Sequence, residues 1–501
     1  MVLVESFLNL FSPFTLIAMI LGVTWGIFMG ATPGFGSALG MALLIPFTFG
    51  MDPNVALPML AGVYTGAVYG GGITAILVGV PGTSSAAATV MDGFAMTQKG
   101  ESNRALSASV MSSAFGGILG GIILLFFAPM LARLTLLFGP AEYFILAVFG
   151  LTIIAVVAGK SIYKGLLGGL IGLLLGTVGL DPMDGENRFT YNTMYLYDGF
   201  PIIPLILSLF AFPRCMLMIR QSFRQGSKTL SSVAGNSGGA RIAVREIAKM
   251  WKTLIRSSLI GTIIGIIPAA GANIACWVSY AEAKRKSKTP EIFGTGSTEG
   301  IVAAEAANNA VAGGSMVPLL ILSIPGNSAS AVMLGALLIH GMVPGPDLFT
   351  KYASVTYTYM VAMICTCVIM LVIGYWVSRY FARLVDVPLS ILAPLMLLVT
   401  MMGAFATRQY LFDVWITVIL GMFCYLLTLQ KFPMPPILLG AILGPIAERG
   451  FRRALLISQG DWTVFFTRPI CLILLVVTGF SIYAGIRMNR SEKKNSEREG
   501  R

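Results

Sequence analysis

The sequence GIFMGATPGFG at residues 26–36 returns in altered form as GTIIGIIPAAG at residues 261–271. Both stretches follow the pattern G-x3-G-x2-P-x2-G, and each lies within a long apolar segment. A second apolar segment follows each copy and is itself interrupted, by VPGTSS at residues 80–85 and by IPGNSA at residues 324–329. Two halves that each carry paired interruptions are typical of secondary transporters with a binding site at the breaks.

The composition is that of a membrane protein. Hydrophobic residues make up 56% of the 501 residues and charged residues only 11%, whereas soluble proteins carry about 25% charged residues. The mean hydropathy is +0.82, and apolar runs long enough to cross a ~30 Å hydrocarbon core recur along the chain. We therefore predict an all-α polytopic protein in a lipid bilayer. Residues 1–12 carry no basic residue, so no cleaved signal peptide is expected.

The net charge of +12 does not indicate a nucleic-acid partner. The Lys and Arg residues lie in short stretches between apolar runs and near residue 501, as the positive-inside rule distributes them. The six cysteines form no CxxC pair, and there is one histidine. A metal site or a histidine-based catalytic triad is therefore not expected, and the protein is predicted not to be an enzyme.

The order of segments predicts two inverted-topology repeats with about 11–13 membrane segments. The first repeat, 1–212, comprises a re-entrant hairpin at 15–50, a broken helix at 55–96 and scaffold helices over 105–219. A basic cytoplasmic linker, 213–253, follows. The second repeat, 254–486, comprises a hairpin at 254–283, a broken helix at 300–341 and scaffold helices over 353–486. A basic cytoplasmic tail, 487–501, completes the prediction.

Loop charges support the inversion. The loop at 51–54 is acidic, while the equivalent stretch at 284–288 is strongly basic. Because orientation follows the placement of Lys and Arg, these equivalent loops are expected on opposite sides of the membrane. When the membrane crossings are counted in this way, the basic residues Arg449, Arg452 and Arg453 lie on the non-cytoplasmic side, which the positive-inside rule disfavours. Either 434–460 does not cross fully or the count is wrong there.

The breaks are the predicted site. Unwound backbone persists in a membrane only inside protein or beside water, and the half-helix N-termini that it exposes attract carboxylates. The predicted substrate-binding residues are Thr83, Ser84, Ser85, Asn327, Ser328, Pro33, Gly34, Gly36, Pro81, Gly82, Pro325 and Gly326. The predicted cation-binding residues are Pro268, Gly271, Asn273, Asn308 and Asn309. No intramembrane arginine is plainly placed to bind the anion.

Helix packing is the competing explanation for these residues. A lone Gly-x3-Gly is usually a close contact between membrane helices, and a lone Pro is usually a kink. Recurrence of both motifs in order favours a binding site for the set. Glu305 lies on the same helix as Asn308 and Asn309, and an acid within a membrane segment favours a functional role over packing. Asp92 is expected to be an interfacial or capping residue.

The same residues resemble a known family. The run GATPGFG at 30–36, the run GVPGT at 79–83 with Asp92-Gly93, and the second-half runs at 265–271 and 323–327 are similar to the TctA family. That family provides the large membrane subunit of tripartite tricarboxylate transporters. The resemblance implies a bacterial inner-membrane permease for carboxylates such as citrate, driven by a cation gradient with Na⁺ as the expected ion. It implies two partners, a small four-helix membrane subunit (TctB-like) and a periplasmic solute-binding protein (TctC-like).

Other classes stay open. The main alternative is a stand-alone symporter for carboxylates or other organic anions, which needs no binding protein. A membrane enzyme or a channel is a third class, disfavoured by the single histidine and by the few polar helix faces. Alternating access by movement of the hairpin and broken-helix core is the expected mechanism. Assembly as a homo-oligomer is left open.

Overall fold

The computed structural model describes residues 2–135, 138–157, 161–181, 183–225, 242, 244–268, 271–381 and 389–479. The middle of the predicted linker, 226–241, and the predicted tail, 487–501, lie outside these described residues. The described chain is helical apart from its loops and one short antiparallel pair, β1 (Gly179–Leu180) with β2 (Asn187–Arg188).

The helices follow one another in chain order. In the first half they are α1 (Val2–Leu10), α2 (Pro13–Ala31), α3 (Gly36–Thr48), α4 (Pro53–Leu77), α5 (Ala87–Gln98), α6 (Ser102–Thr135), α7 (Pro140–Val157), α8 (Ile162–Gly176), α9 (Ile202–Ile206) and α10 (Phe212–Gln225). A π-helical turn (Leu207–Ala211) joins α9 to α10. In the second half they are α11 (Val244–Lys249), α12 (Trp251–Ile266), α13 (Gly271–Lys286), α14 (Thr298–Leu322), α15 (Ser328–Ile339), α16 (Pro346–Phe349), α17 (Ala353–Phe381), α18 (Leu389–Arg408), α19 (Leu411–Leu429), α20 (Pro435–Ile457), α21 (Val464–Thr467) and α22 (Pro469–Gly479).

Seven helices among the described residues are long and apolar enough to cross a membrane. They are Pro13–Ala31, Pro53–Leu77, Ser102–Arg133, Ile202–Phe223, Ala353–Trp376, Ser390–Arg408 and Leu411–Leu429. Because about 20 apolar residues span the hydrocarbon core, these helices alone make the chain polytopic. The predicted all-α polytopic membrane protein is thereby confirmed, while the inverted repeats and the number of crossings stay predictions.

The first repeated pattern forms the turn between two helices that fold back on each other. α2 ends ahead of Pro33, and α3 begins at Gly36. The Trp25 indole N–H donates to the Gly40 carbonyl oxygen at 3.0 Å and holds the two helices side by side. The turn needs a left-handed backbone at Gly34 (φ +83°), which glycine adopts without a Cβ clash. We call α2, α3 and their turn the first hairpin.

The second copy separates α12 from α13, which we call the second hairpin. α12 ends ahead of Pro268, and α13 begins at Gly271, again with a left-handed backbone (φ +71°). Residues 269–270 of this turn lie outside the described part of the chain.

The Gly-x3-Gly portions of both patterns are close helix contacts. A methyl group on Gly26 would lie 2.4 Å from the Val63 carbonyl oxygen, and one on Gly30 would lie 2.1 Å from that of Ala67. α2 therefore packs directly on the backbone of α4. In the second half, Gly261 meets Ala307 and Gly265 meets Val311 in the same four-residue register, which packs α12 on α14. For these four glycines the packing explanation is correct.

The chain forms two compact units, and each unit draws on both halves of the sequence. Unit 1 comprises Met1–Ala132 and Arg214–Thr407, so it contains both hairpins and both broken helices. Unit 2 comprises Arg133–Pro213 and Arg408–Arg501. The predicted domain boundaries follow sequence order, and the compact units do not; the boundaries of the repeats stay a prediction.

Unit 2 shows what one of the three basic residues Arg449, Arg452 and Arg453 contacts. α20 (Pro435–Ile457) covers most of the stretch 434–460, and its Arg452 pairs with Asp181 at 2.8 Å. Asp181 lies in the loop between α8 and α9. The pKa of its carboxyl group is lowered to about 2, chiefly because it accepts a hydrogen bond from the backbone N–H of Met183. Arg452 therefore lies beside an ionised acidic loop, in ion pairs.

Two other features at the ends were not predicted. The helix α1 precedes α2, and the two are separated by Ser12, whose hydroxyl accepts from the Thr15 backbone N–H at 3.3 Å. The predicted last crossing at 464–486 begins with the short α21 and continues as α22; residues beyond 479 lie outside the described chain.

Candidate functional site

The first break follows α4, and its backbone is held by the first hairpin. Pro81 cannot continue a helix, and the Gly82 N–H donates back to the Gly71 carbonyl oxygen at 3.2 Å. The Gly82 carbonyl oxygen accepts from the Gly34 N–H at 3.1 Å. The turn of the first hairpin is therefore bonded directly to the first break, and the predicted residues Pro33, Gly34, Pro81 and Gly82 come together.

The hydroxyl groups of the first break differ in accessibility. Ser84 is exposed, Thr83 is half-buried and Ser85 is buried. The Thr83 and Ser85 hydroxyls bond to each other at 3.1 Å. Ser84 is thus the hydroxyl of the three with the freest access to a ligand.

The second break follows α14 and is built on Asn327. Its side-chain oxygen accepts from the Ser330 N–H at 2.9 Å, and its own N–H donates to the Ser330 hydroxyl at 2.8 Å. This reciprocal capping box starts α15. Pro325 and Gly326 are buried, and a methyl group on Gly326 would lie 2.9 Å from the Gly265 carbonyl oxygen of the second hairpin. Ser328 is exposed, as is Ser84 in the first break.

The Asn327 amide is also the end of a polar chain between the two halves. Its Nδ2 donates to the Tyr64 hydroxyl at 2.6 Å, and that hydroxyl lies 3.0 Å from the Ser315 hydroxyl. Tyr64 belongs to α4, and it is 2% exposed. Both ends of the Asn327 amide are thus bonded within the protein; its predicted contact with substrate stays a prediction.

Each break is also contacted by the hairpin of the other half. α15, which starts at the second break, packs against α3 of the first hairpin. The 3-10 turn Ser84–Ala86 of the first break packs against α13 of the second hairpin. Every one of these elements belongs to unit 1. Unit 1 therefore contains both breaks, and each broken helix contacts both hairpins.

The predicted cation ligands lie on α14 and at the second hairpin, and their grouping as one site stays a prediction. Asn308 and Asn309 are each 1% exposed, and both side-chain oxygens lack a hydrogen-bond partner among the described residues. Asn273 is exposed on α13, and no hydrogen bond within the described chain joins it to either of them. Buried, unpaired amide oxygens are acceptors suited to a cation. Pro268 and Gly271 lie at the turn of the second hairpin.

Glu305 is a buried acid in the interior of unit 1. It is 0% exposed, and its carboxylate accepts from the Thr89 hydroxyl at 2.5 Å and from the Ser113 hydroxyl at 3.0 Å. No Lys or Arg of the described residues pairs with it. A methyl group on Gly72 would lie 2.7 Å from its Oε1 and 3.2 Å from the Ser109 hydroxyl, which has no partner. α4, α5, α6 and α14 therefore meet at one carboxyl group.

Asp92 is a buried acid that bonds the loop leading into α14, in the other half of the chain. Its Oδ1 accepts from the N–H groups of Gly294, Gly296 and Ser297 at 2.7–2.9 Å, and Ser297 is the N-cap of α14. Its Oδ2 accepts from the Tyr280 hydroxyl at 2.7 Å. A carboxylate near a helix N-terminus also complements the helix dipole. Local sequence gives no sign of these partners.

An arginine that the sequence analysis did not assign lies at the turn of the first hairpin. The Arg214 Nη2 donates to the Pro33 carbonyl oxygen at 3.4 Å, and its guanidinium lies against Gly34. Arg214 follows Phe212 and Pro213 at the start of a basic stretch, where loop charge alone predicts a cytoplasmic residue. This contact places an arginine beside the first break, which local sequence does not reveal.

Comparisons with known proteins identify a matching family and two relatives. A family model described as "Tripartite tricarboxylate transporter TctA family" matches residues 16–439. A protein of Agrobacterium vitis described as "Uncharacterized 52.8 kDa protein in TAR-I ttuC' 3'region" is 33% identical over 476 residues, which cover 93% of this chain and 92% of the relative. Another, "Uncharacterized protein in TAR-II ttuC' 3'region", is 34% identical over 215 residues, covering 43% of this chain and 89% of the relative. No solved structure is similar to the chain.

Proposed function

The chain belongs to the tripartite tricarboxylate transporter TctA family, and on that basis we propose that it imports tricarboxylates or related carboxylates as the permease subunit of a binding-protein-dependent secondary transporter. The family makes it the large membrane subunit of such a system. We place it in a bacterial inner membrane, with the linker and the tail in the cytoplasm. A small four-helix subunit and a periplasmic binding protein complete the assembly.

One observation carries the proposal: unit 1 contains both breaks, and each broken helix contacts both hairpins. Irregular backbone at membrane depth is tolerated where it lines a binding cavity, and broken helices at a repeat interface are how secondary transporters build a site. The exposed hydroxyls of Ser84 and Ser328 stand at equivalent points of the two breaks. They would donate to the oxygens of a carboxylate anion.

Coupling to a cation is supported by the buried acid. An ionised Glu305 without a cationic partner would be costly in this interior. A bound cation or a proton removes that cost. We propose Na⁺ as the coupling ion, with the unpaired oxygens of Asn308 and Asn309 as further ligands. The two hydroxyls that bond Glu305 also suit a protonated carboxyl group, so a proton is the second candidate.

The energetics call for more than one cation per cycle. One monovalent cation moving down a 100 mV potential releases about 2.3 kcal/mol, and each 1.4 kcal/mol corresponds to about tenfold in concentration. One ion therefore supports roughly fortyfold accumulation of a neutral substrate that crosses together with it. A tricarboxylate must also be charge-compensated before it crosses. Movement of the hairpins and broken helices of unit 1 would give the site alternating access.

The test is uptake by the purified chain in liposomes with its small membrane subunit. We expect little citrate uptake until the binding protein and an inward Na⁺ gradient are both present. Glu305→Gln keeps the hydrogen-bonding shape without the charge, so it should abolish the response to the ion gradient. The matched control is Glu291→Gln, an exposed acid, which should behave as wild type.

The outcomes separate the alternatives. Full-rate uptake without binding protein would favour a stand-alone symporter. Uptake that depends on a pH gradient and not on a Na⁺ gradient would show that the coupling ion is a proton. Uptake that ignores every gradient would indicate a channel and contradict the proposal.

A further inference from the structure

The strongest unassigned feature is a cationic side chain inside unit 1. Arg214 is half-buried, and its guanidinium packs so closely on Gly34 that a methyl group there would lie 1.7 Å from Nη2. Its Nε is buried and has no hydrogen-bond partner among the described residues. Of five N–H donors on an arginine, one makes the long 3.4 Å contact with the Pro33 carbonyl oxygen.

The charge on Arg214 has no counter-ion in the part of the chain that the structure describes. No Asp or Glu of the described residues lies within ion-pair distance of it, whereas Arg408, Arg452 and Arg468 each pair with a buried acid. A cation that is held partly inside a protein loses solvation and is normally compensated by an opposite charge or by hydrogen-bond acceptors. A single long bond to one carbonyl leaves most of this cation's capacity unused.

The location of the guanidinium links it to the breaks. Gly34 contacts it directly, and the N–H of the same Gly34 donates to the Gly82 carbonyl oxygen at 3.1 Å. The guanidinium fork matches the two oxygens of a carboxylate, and such bidentate pairs are stronger than neutral hydrogen bonds.

From these observations we propose that Arg214 binds a carboxylate group of the transported anion at the turn of the first hairpin. The inference rests on the proposed function, and it names the group that recognises the negative charge of the substrate. Glycine at position 34 leaves the space in which the guanidinium lies, and any side chain there would displace it.

A purely structural role makes a different prediction. Arg214 lies close to the C-terminal end of α2, where a positive charge stabilises the helix dipole. In that case its removal would lower thermal stability and leave the affinity for substrate unchanged. The two roles are therefore separated by measuring both quantities on the same variants.

The experiment measures the KM for citrate uptake by the reconstituted complex, and the melting temperature with and without citrate, for Arg214→Gln, Arg214→Lys and the control Arg220→Gln. Arg220 is exposed on the same helix. We expect Arg214→Gln to raise the KM about tenfold or more, and to abolish stabilisation by citrate, because a charge-assisted bond is lost. Arg214→Lys should lose less, and Arg220→Gln should change neither quantity.

An unchanged KM in Arg214→Gln, with or without a lower melting temperature, would overturn the inference and leave the proposed function intact. If Arg214→Gln does not reach the membrane, Arg214→Lys decides, because a KM equal to wild type for the lysine would show that the fork is not used. If the wild-type complex takes up neither citrate nor any other di- or tricarboxylate, both proposals fall together.

Discussion

Asp92 shows how one side chain fixes a helix that begins 200 residues later. Its carboxylate bonds three backbone N–H groups ahead of α14, and the residue itself is 0% exposed. Asp92→Ala would leave the buried N–H of Ser297 without this partner, at roughly 1–3 kcal/mol, while the N–H groups of Gly294 and Gly296 are only partly buried. We expect a loss of about 1–3 kcal/mol, and a smaller loss for Asp92→Asn, which keeps one acceptor oxygen.

Thermal unfolding of the purified chain, followed by tryptophan fluorescence, measures this effect. Asp347→Ala is the control, because Asp347 is an exposed acid in a short helix. Equal melting temperatures for Asp92→Ala and Asp347→Ala would show that the hydrogen bonds of Asp92 do not stabilise the start of α14.

Asp92, Tyr64 and Arg214 also mark what the sequence could not reveal. Each is a plain residue in its own segment: an acid near a segment end, a tyrosine in an apolar helix and an arginine at the start of a basic stretch. Their roles depend on partners from distant segments: Ser297, Asn327 and Pro33. No periodicity or spacing pattern encodes such contacts. Helix-breaking Pro and Gly residues, in contrast, act locally, so the breaks at Pro81 and Pro325 could be predicted directly.

The hairpins and broken helices depend on glycines as contact surfaces. Gly30 shows the requirement most sharply, since a methyl group there would overlap the Ala67 carbonyl oxygen of α4 at 2.1 Å. Gly30→Ala must force α2 away from α4, which we expect to cost roughly 1–3 kcal/mol, as overpacking in other interiors does. Because Gly30 also faces Gly82, the shift should reach the first break and reduce uptake.

Gly50→Ala is the matched control for this variant. No atom lies within 4 Å of the position that its methyl group would take, and its backbone is not left-handed. The comparison needs the melting temperature and the citrate uptake of both variants. A Gly30→Ala protein as stable and as active as Gly50→Ala would mean that the contact between α2 and α4 is looser than the structure has it.

The elements themselves were largely predictable, and their grouping was not. The apolar runs, the Pro-Gly interruptions and the Gly-x3-Gly contacts follow from local rules. Unit 1, in contrast, joins Met1–Ala132 to Arg214–Thr407, because α15 packs on α3 and α13 packs on the first break. Sequence order favours a division into two successive halves, whereas burial of both broken helices requires each half to cover the other.

The opposite membrane orientation of the two halves is the remaining prediction for the whole chain. The acidic loop at 51–54 and the basic stretch at 284–288 follow equivalent hairpins, and the positive-inside rule then places them on opposite sides.

Gly50→Cys and Lys288→Cys test this directly, because both positions are exposed. In a variant without the native cysteines, a membrane-impermeant maleimide added to intact cells should label residue 50. Residue 288 should react only after the membrane is opened. Five of the native cysteines are buried and Cys365 is partly so, which keeps the background low even where they remain. Labelling of both positions from the same side would contradict the inverted repeat. It would also remove the reason for expecting the two breaks to approach the site from opposite faces of the membrane.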